Sequence, residues 1–112
     1  MPFIQVKTNQ NISDVKKQLK SELGSTITAI PGKSEAWLMV EIQDNLDMYF
    51  KGDSAPCAMF EIEIFGKAAD SDYDELTRRI CSIAEKYLSV SADRVYVKYT
   101  EIDHWGYNNF NF

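Results

Sequence analysis

The chain has 112 residues, of which 45% are hydrophobic, 12% aromatic and 26% charged, a balance that fits one domain, 1–112, with a real core and excludes a disordered polypeptide. A net charge of −5, with no basic run longer than the pairs Lys16-Lys17 and Arg78-Arg79, argues against a nucleic-acid partner. No basic-then-apolar leader opens the sequence and no apolar run reaches about 18 residues, so neither a signal peptide nor a membrane span is expected, and a cytoplasmic location is.

The first predicted element is the strand "FIQVKT", directly behind Met1-Pro2. Proline is small enough to allow removal of the initiator methionine, and the new terminus would be a secondary amine, which makes Pro2 a candidate base or nucleophile. The plainer alternative is that Pro2 starts an edge strand, where its missing N–H does no harm. Ser13 is positioned to cap a helix whose apolar residues Val15, Leu19, Leu23, Ile27 and Ile30 recur at helical spacing until Pro31-Gly32 stop it. "EAWLMVEI" reads as the second strand, and "DNLDMYFKGDSAP" as a turn-rich connection.

The pattern then repeats. "CAMFEIEIFG" is strand-like, Ser71 and Asp74 form a capping box, and Leu76, Ile80, Ile83, Ala84, Tyr87 and Leu88 mark a second helix. "RVYVKYTEI" closes the second unit as a strand. Alternation puts Val95, Val97 and Tyr99 on one of its faces and Tyr96, Lys98 and Thr100 on the other. Cys57 and Cys81 fit no ligand spacing and read as small core residues; neither metal nor cofactor is expected.

A duplicated β-α-β unit predicts an α+β fold: one four-stranded mixed sheet with both helices on one face, plus short extra strands. The other sheet face stays bare. Residues such as Phe3, Trp37, Met39, Phe60, Ile62 and Ile64 would occupy it in alternation, more apolar surface than a monomer exposes. Oligomerisation is the expected remedy.

Several pieces occur in one unbroken register: "MPF" with Thr8-Asn9, Gly32-Lys33, "MYFKGDSAPCA" at 48–58, "IFGK" at 64–67, "DRVYVKY" at 93–99 and the terminal "WGYNNFNF". With them the chain resembles the macrophage migration inhibitory factor and dopachrome tautomerase family of the tautomerase superfamily. The resemblance implies a homotrimer with active sites at subunit interfaces and Pro2 as catalytic base. It implies that Lys33 holds a substrate carboxylate and that Phe65, at a position usually isoleucine, lines the pocket. Tyr96 would come from the neighbouring protomer, and Phe3, Tyr107 and Phe112 would border the pocket.

The chemistry is coherent with those residues. A keto–enol tautomerase moves a proton between a carbon and an oxygen, so it needs one base that can also act as acid. A secondary amine is too basic for that at neutral pH unless burial and nearby cations lower its pKa. Phenylpyruvate-like or dopachrome-like compounds are the implied substrates. The competing function is a cytokine-like mediator that binds a host receptor after leaving cells by a non-classical route, with the pocket incidental.

The sequence also departs from the family pattern. Lys98 replaces an asparagine and is expected to stand in the pocket beside Tyr96 as a second cation; the alternative is a solvated surface charge. Cys57-Ala58-Met59-Phe60 lacks the second thiol that the family's thiol-oxidoreductase activity uses. Glu63 stands at a histidine position, and His104, the one histidine of the chain, reads as a surface residue.

Overall fold

The computed structural model describes residues 1–112. The main chain runs β1 (Pro2–Thr8), α1 (Lys16–Thr26), β2 (Met39–Gln43), β3 (Ala58–Phe65), α2 (Asp70–Ile83) and β4 (Val95–Ile102), followed by a small hairpin of β5 (Gly106–Tyr107) and β6 (Phe110–Asn111). The four long strands form one sheet in the order β2-β1-β3-β4. β1 runs parallel to β2 and antiparallel to β3, while β4 is parallel to β3. The duplicated β-α-β architecture is therefore present, with the two units joined along an antiparallel seam.

Residue parity decides which sheet face is covered. Ile4, Val6 and Thr8 of β1 and Ala58, Phe60, Ile62 and Ile64 of β3 are buried, and their apolar members share one core with Leu19, Leu23 and Ile27 from the first helical segment and Leu76, Ile80 and Ile83 from the second. Both helices thus pack on the same face. This corrects the expectation for Phe60, Ile62 and Ile64, which face the helices and not the bare side. An alternating strand announces that it has two unlike faces; which of them meets the helices depends on pairing with β1.

The open face is more polar than the sequence suggested. Its middle carries a ladder in which Lys7 Nζ and Lys98 Nζ lie 2.8 and 2.7 Å from the two oxygens of Glu61, and Gln5 donates to Glu41 at 2.7 Å. Hydrogen bonds from Lys7 and Lys98 hold the Glu61 carboxyl below its ordinary range. Apolar surface is confined to the ends of this face, with Met39 68% exposed at one and Tyr96 58% exposed at the other. Trp37 belongs to a short 3₁₀ turn, Glu35–Trp37, ahead of β2 and not to the strand itself.

Helix entry also differs from the expected caps. The backbone N–H of Ser13 donates to Asn11 Oδ1, and α1 starts three residues later without a side-chain cap. At α2 the Ala69 N–H donates to Asp72 Oδ2 at 3.1 Å, so the reciprocal contact sits two residues earlier than the pair Ser71 and Asp74, and Ser71 lies inside the helix. The first helical segment ends as predicted at Pro31-Gly32, where Gly32 has φ of +82°, a conformation that side chains disfavour. Cys57 is buried and Cys81 half-buried, with burial pushing the Cys81 thiol up.

Candidate active site

Pro2 is buried and opens β1, opposite Ile64 of β3. Because β1 lies between β2 and β3, the strand is central, not an edge. A proline is accommodated there only because it is the first residue of the strand. A cleft of about 610 Å³ begins beside it. One wall is formed by Met1, Pro2 and Phe3, another by Trp37 of the 3₁₀ turn and Met39 at the start of β2. Ile102, His104, Trp105 and Tyr107, from the end of β4 and the segment into the hairpin, close a third side, and Glu63 reaches in from β3. The ring of Tyr107 meets Trp37 edge to face at 5.3 Å.

Lys33, Phe65 and Phe112 gather on the flank of the same terminus. Lys33 Nζ donates to the Phe65 carbonyl at 2.8 Å, and the Phe65 N–H donates to the Met1 carbonyl at 3.0 Å. Phe65 and Phe112 pack with ring centroids 5.9 Å apart. Here the Met1 amine is lowered from 8.0 to about 6, first by burial and then by the charge and hydrogen bond of Lys33. A cation and desolvation therefore act together at the head of β1, as pKa depression of an amine requires.

Tyr96 and Lys98 are not part of this cluster within one chain. Pro2 is level with Glu101 through Ile64, which puts Tyr96 five residues, roughly 16 Å, further along the sheet. Tyr96 packs edge to face on Phe50 at 4.8 Å. Lys98 does share its face with Tyr96, but its ammonium is engaged by Glu61. The second cation beside Lys33 is thus absent from the single chain's cleft.

Sequence reasoning singled out Pro2, Phe3 and Tyr107, which the cleft unites, and Lys33, Phe65 and Phe112, which surround the terminus. It missed Trp37, Met39, Ile102 and Trp105 as cleft residues, and it placed His104 only on the surface. His104 is exposed, yet it borders the cleft. No cluster of His, Cys, Asp and Glu that could hold a metal ion is present.

A family model described as macrophage migration inhibitory factor matches residues 1–110. The chain belongs to the macrophage migration inhibitory factor family. Its similarity extends over whole chains: it is 27% identical to macrophage migration inhibitory factor of Xenopus laevis, covering 100% of this chain and 99% of the relative. It is 24% identical to D-dopachrome decarboxylase-B of the same organism over 94% of this chain and 90% of the relative. Among solved structures, MIF2 of Leishmania major superposes with a TM-score of 0.90 at 32% identity, covering 100% and 97% of the two chains. The macrophage migration inhibitory factor homologue of Prochlorococcus marinus does so at 0.90 and 26%, covering 98% of each. Membership in the macrophage migration inhibitory factor family thus accounts for the α+β fold, and several relatives of the chain are named as D-dopachrome decarboxylases.

Proposed function

We propose that this protein is a keto–enol tautomerase acting on phenylpyruvate-like or dopachrome-like compounds, with the amine of Pro2, exposed by removal of Met1, as its base. The observation that carries the reading is the depressed amine at the head of β1, desolvated and beside Lys33. The same two causes would act on a Pro2 amine, disfavouring its charged form and so favouring the neutral form that accepts a proton.

In the forward step the Pro2 lone pair takes the proton from the carbon next to the substrate carbonyl. The C–H electron pair becomes the new C=C bond, the carbonyl π pair moves onto oxygen, and the protonated amine, directly or through water, passes its proton to that oxygen as the enol forms. In reverse, the protonated amine returns the proton to carbon. Lys33 spends one donor on Phe65, and its remaining donors can hold a carboxylate. Phe3, Trp37 and Tyr107 offer aromatic walls for a ring.

The active assembly is a homotrimer in this reading. Exposed Met39 and Tyr96 on the open sheet face, and whole-chain similarity to other members of the family, support it. A neighbouring copy would supply Tyr96 and Lys98 to the cleft. The test is Pro2→Gly, together with a variant carrying one extra residue ahead of Pro2. Each should keep wild-type circular dichroism and size while losing phenylpyruvate enol–keto turnover, and mass spectrometry should find the active protein without Met1. Unchanged turnover in either variant ends the assignment.

A further inference from the structure

Gly24 occupies a position where a better helix former is expected. It lies inside α1 near its end, and its φ is not in the left-handed region, so no turn conformation calls for a glycine, which is a poor helix residue. Space explains it. The Glu35 side chain lies across the Gly24 backbone and covers it: a Cβ built on Gly24 would overlap the Glu35 carboxyl group and stand 2.9 Å from Glu35 Cγ, whereas carbons in contact keep about 3.5–4.0 Å. One turn earlier on the same helix face, Lys20 Nζ lies 3.8 Å from the Glu35 carboxylate. Glu35 thus rests in a notch of α1 that has bare backbone as its floor and a cation at its end.

Glu35 opens the 3₁₀ turn Glu35–Trp37, and Ala36, Trp37 and Leu38 line the cleft. The hydrogen bonds of the turn are internal: the Trp37 N–H donates to the Ser34 carbonyl at 3.2 Å and the Leu38 N–H to that of Glu35 at 3.1 Å. They shape the turn without attaching it to the rest of the protein, and all three of its residues are exposed. Leu38 packs on the core behind it, which fixes where the turn ends; the Glu35 seat on α1, itself anchored by buried Leu19 and Leu23, fixes where it begins. From this we infer that Glu35 is a positioning residue: seated on Gly24, it holds the turn so that Trp37 presents its ring to the cleft. The contact lies within one chain on the helix side of the sheet, so it does not depend on what covers the open face. The inference rests on the tautomerase reading only for the ligand that the Trp37 wall would meet, and it extends the site to a helix that supplies no residue to the cleft.

Fluorotryptophan labelling tests this, because the chain has two tryptophans, Trp37 and Trp105, whose fluorine NMR lines can be assigned with Trp105→Phe. Glu35→Ala empties the notch and Gly24→Ala fills it. Each should shift or broaden the Trp37 line more than the Trp105 line, and each should weaken binding of phenylacetate, an unreactive aromatic acid, about three- to tenfold, the scale of one aromatic contact. Glu35→Gln keeps the shape of the side chain and loses only an exposed ion pair, so it should behave nearly as wild type. The two alanine substitutions should not add: without Glu35 the group that Gly24→Ala displaces is gone, and the double variant should match Glu35→Ala alone. Urea denaturation separates a displaced wall from lost folding, since alanine favours the helix. An unmoved Trp37 line in Glu35→Ala, unchanged phenylacetate affinity, or an effect of Gly24→Ala that persists without Glu35 overturns the inference. The expected pattern in a protein that lacks phenylpyruvate turnover would support the role of Glu35 while removing the tautomerase reading; turnover with an unmoved Trp37 line would do the reverse.

Discussion

Arg94 should be among the most sensitive polar positions in the chain. It lies at the end of a 3₁₀ turn, Ala92–Arg94, just ahead of β4, with a side chain only 13% exposed. Its Nε donates to the Pro56 carbonyl at 2.8 Å, and Nη2 reaches the carbonyls of Ala55 and Phe50 at 3.1 and 3.2 Å. An ion pair to Asp53 Oδ1 at 2.9 Å completes the set. Together these contacts pin the loop between β2 and β3, whose turn places Lys51 and Gly52 at positive φ. A charge-assisted hydrogen bond in a buried setting contributes about 1.5–3 kcal/mol. The freed carbonyls of Ala55 and Pro56 lie on exposed residues and can rehydrate, while that of Phe50 is on a half-buried one, so Arg94→Ala is expected to cost about 2–3 kcal/mol in total, or roughly 10–20 °C in Tm. Arg94→Lys should recover less than half, because a single ammonium cannot span three carbonyls as a planar fork does. Urea denaturation followed by circular dichroism at fixed protein concentration measures both variants. A cost below about 0.5 kcal/mol for Arg94→Ala would show that the loop is held elsewhere, and equivalence of the lysine variant would show that charge alone suffices.

Three further outcomes follow from the terminus and the open face. If the Pro2 amine is the base, activity should fall as pH drops and that amine takes up a proton, since only its neutral form accepts one; a flat acid limb down to pH values of about 4 would contradict the proposal. In protein that retains Met1, the unfolded chain binds the terminal proton more tightly than the folded one, whose amine is lowered from 8.0 to about 6. Stability should therefore be slightly higher above pH 8.0 and decline as pH falls through that window, an effect that N-terminal acetylation should remove. Lys98→Asn should cost less than about 1 kcal/mol, because Lys98 is 59% exposed and Lys7 still holds Glu61. A larger loss in chemical denaturation would mean that the Lys7–Glu61–Lys98 ladder acts as one unit.

Periodicity made the order of the main elements legible, because Leu19, Leu23 and Ile27 or Leu76, Ile80 and Ile83 repeat only as a helix does. It did not reveal which side of β3 meets the helices: "AMFEIEIF" alternates cleanly, but alternation has no sign until β1 pairs with it. Trp37 reads as part of a strand because it adjoins Leu38-Met39-Val40, whereas the 3₁₀ turn that carries it leaves no apolar period. The helix starts were misplaced for a related reason. Ser13 and Ser71 are good capping residue types, but Asn11 and Asp72 make the local hydrogen bonds first. As for the site, Pro2 and Lys33 were legible through their chemistry and the family resemblance. Met39, Glu63, Ile102 and Trp105 converge only because sheet register brings the starts of β1 and β2 level with the ends of β3 and β4, a relation between residues far apart in sequence.

The antiparallel seam has a consequence for where new chemistry could be built. β1 with β2 and β3 with β4 are parallel pairs related by an approximate local two-fold axis, so that Phe3 and Met39 correspond to Met59 and Tyr96, and Pro2 corresponds to Ala58. The two ends of this pseudo-symmetric sheet have been put to opposite uses. At Pro2 the end is hollow, while at Ala58 it is sealed by residues 50–57, stitched down by Arg94 and by Asn9, whose amide donates to Ser54 and Ala55 and accepts from the Cys57 N–H. Ala58 itself supplies only an amide nitrogen, which is not basic. A second reaction centre engineered at that end would have to come from shortening the loop and re-anchoring the strand, since no exchange of side chain at Ala58 alone would open it.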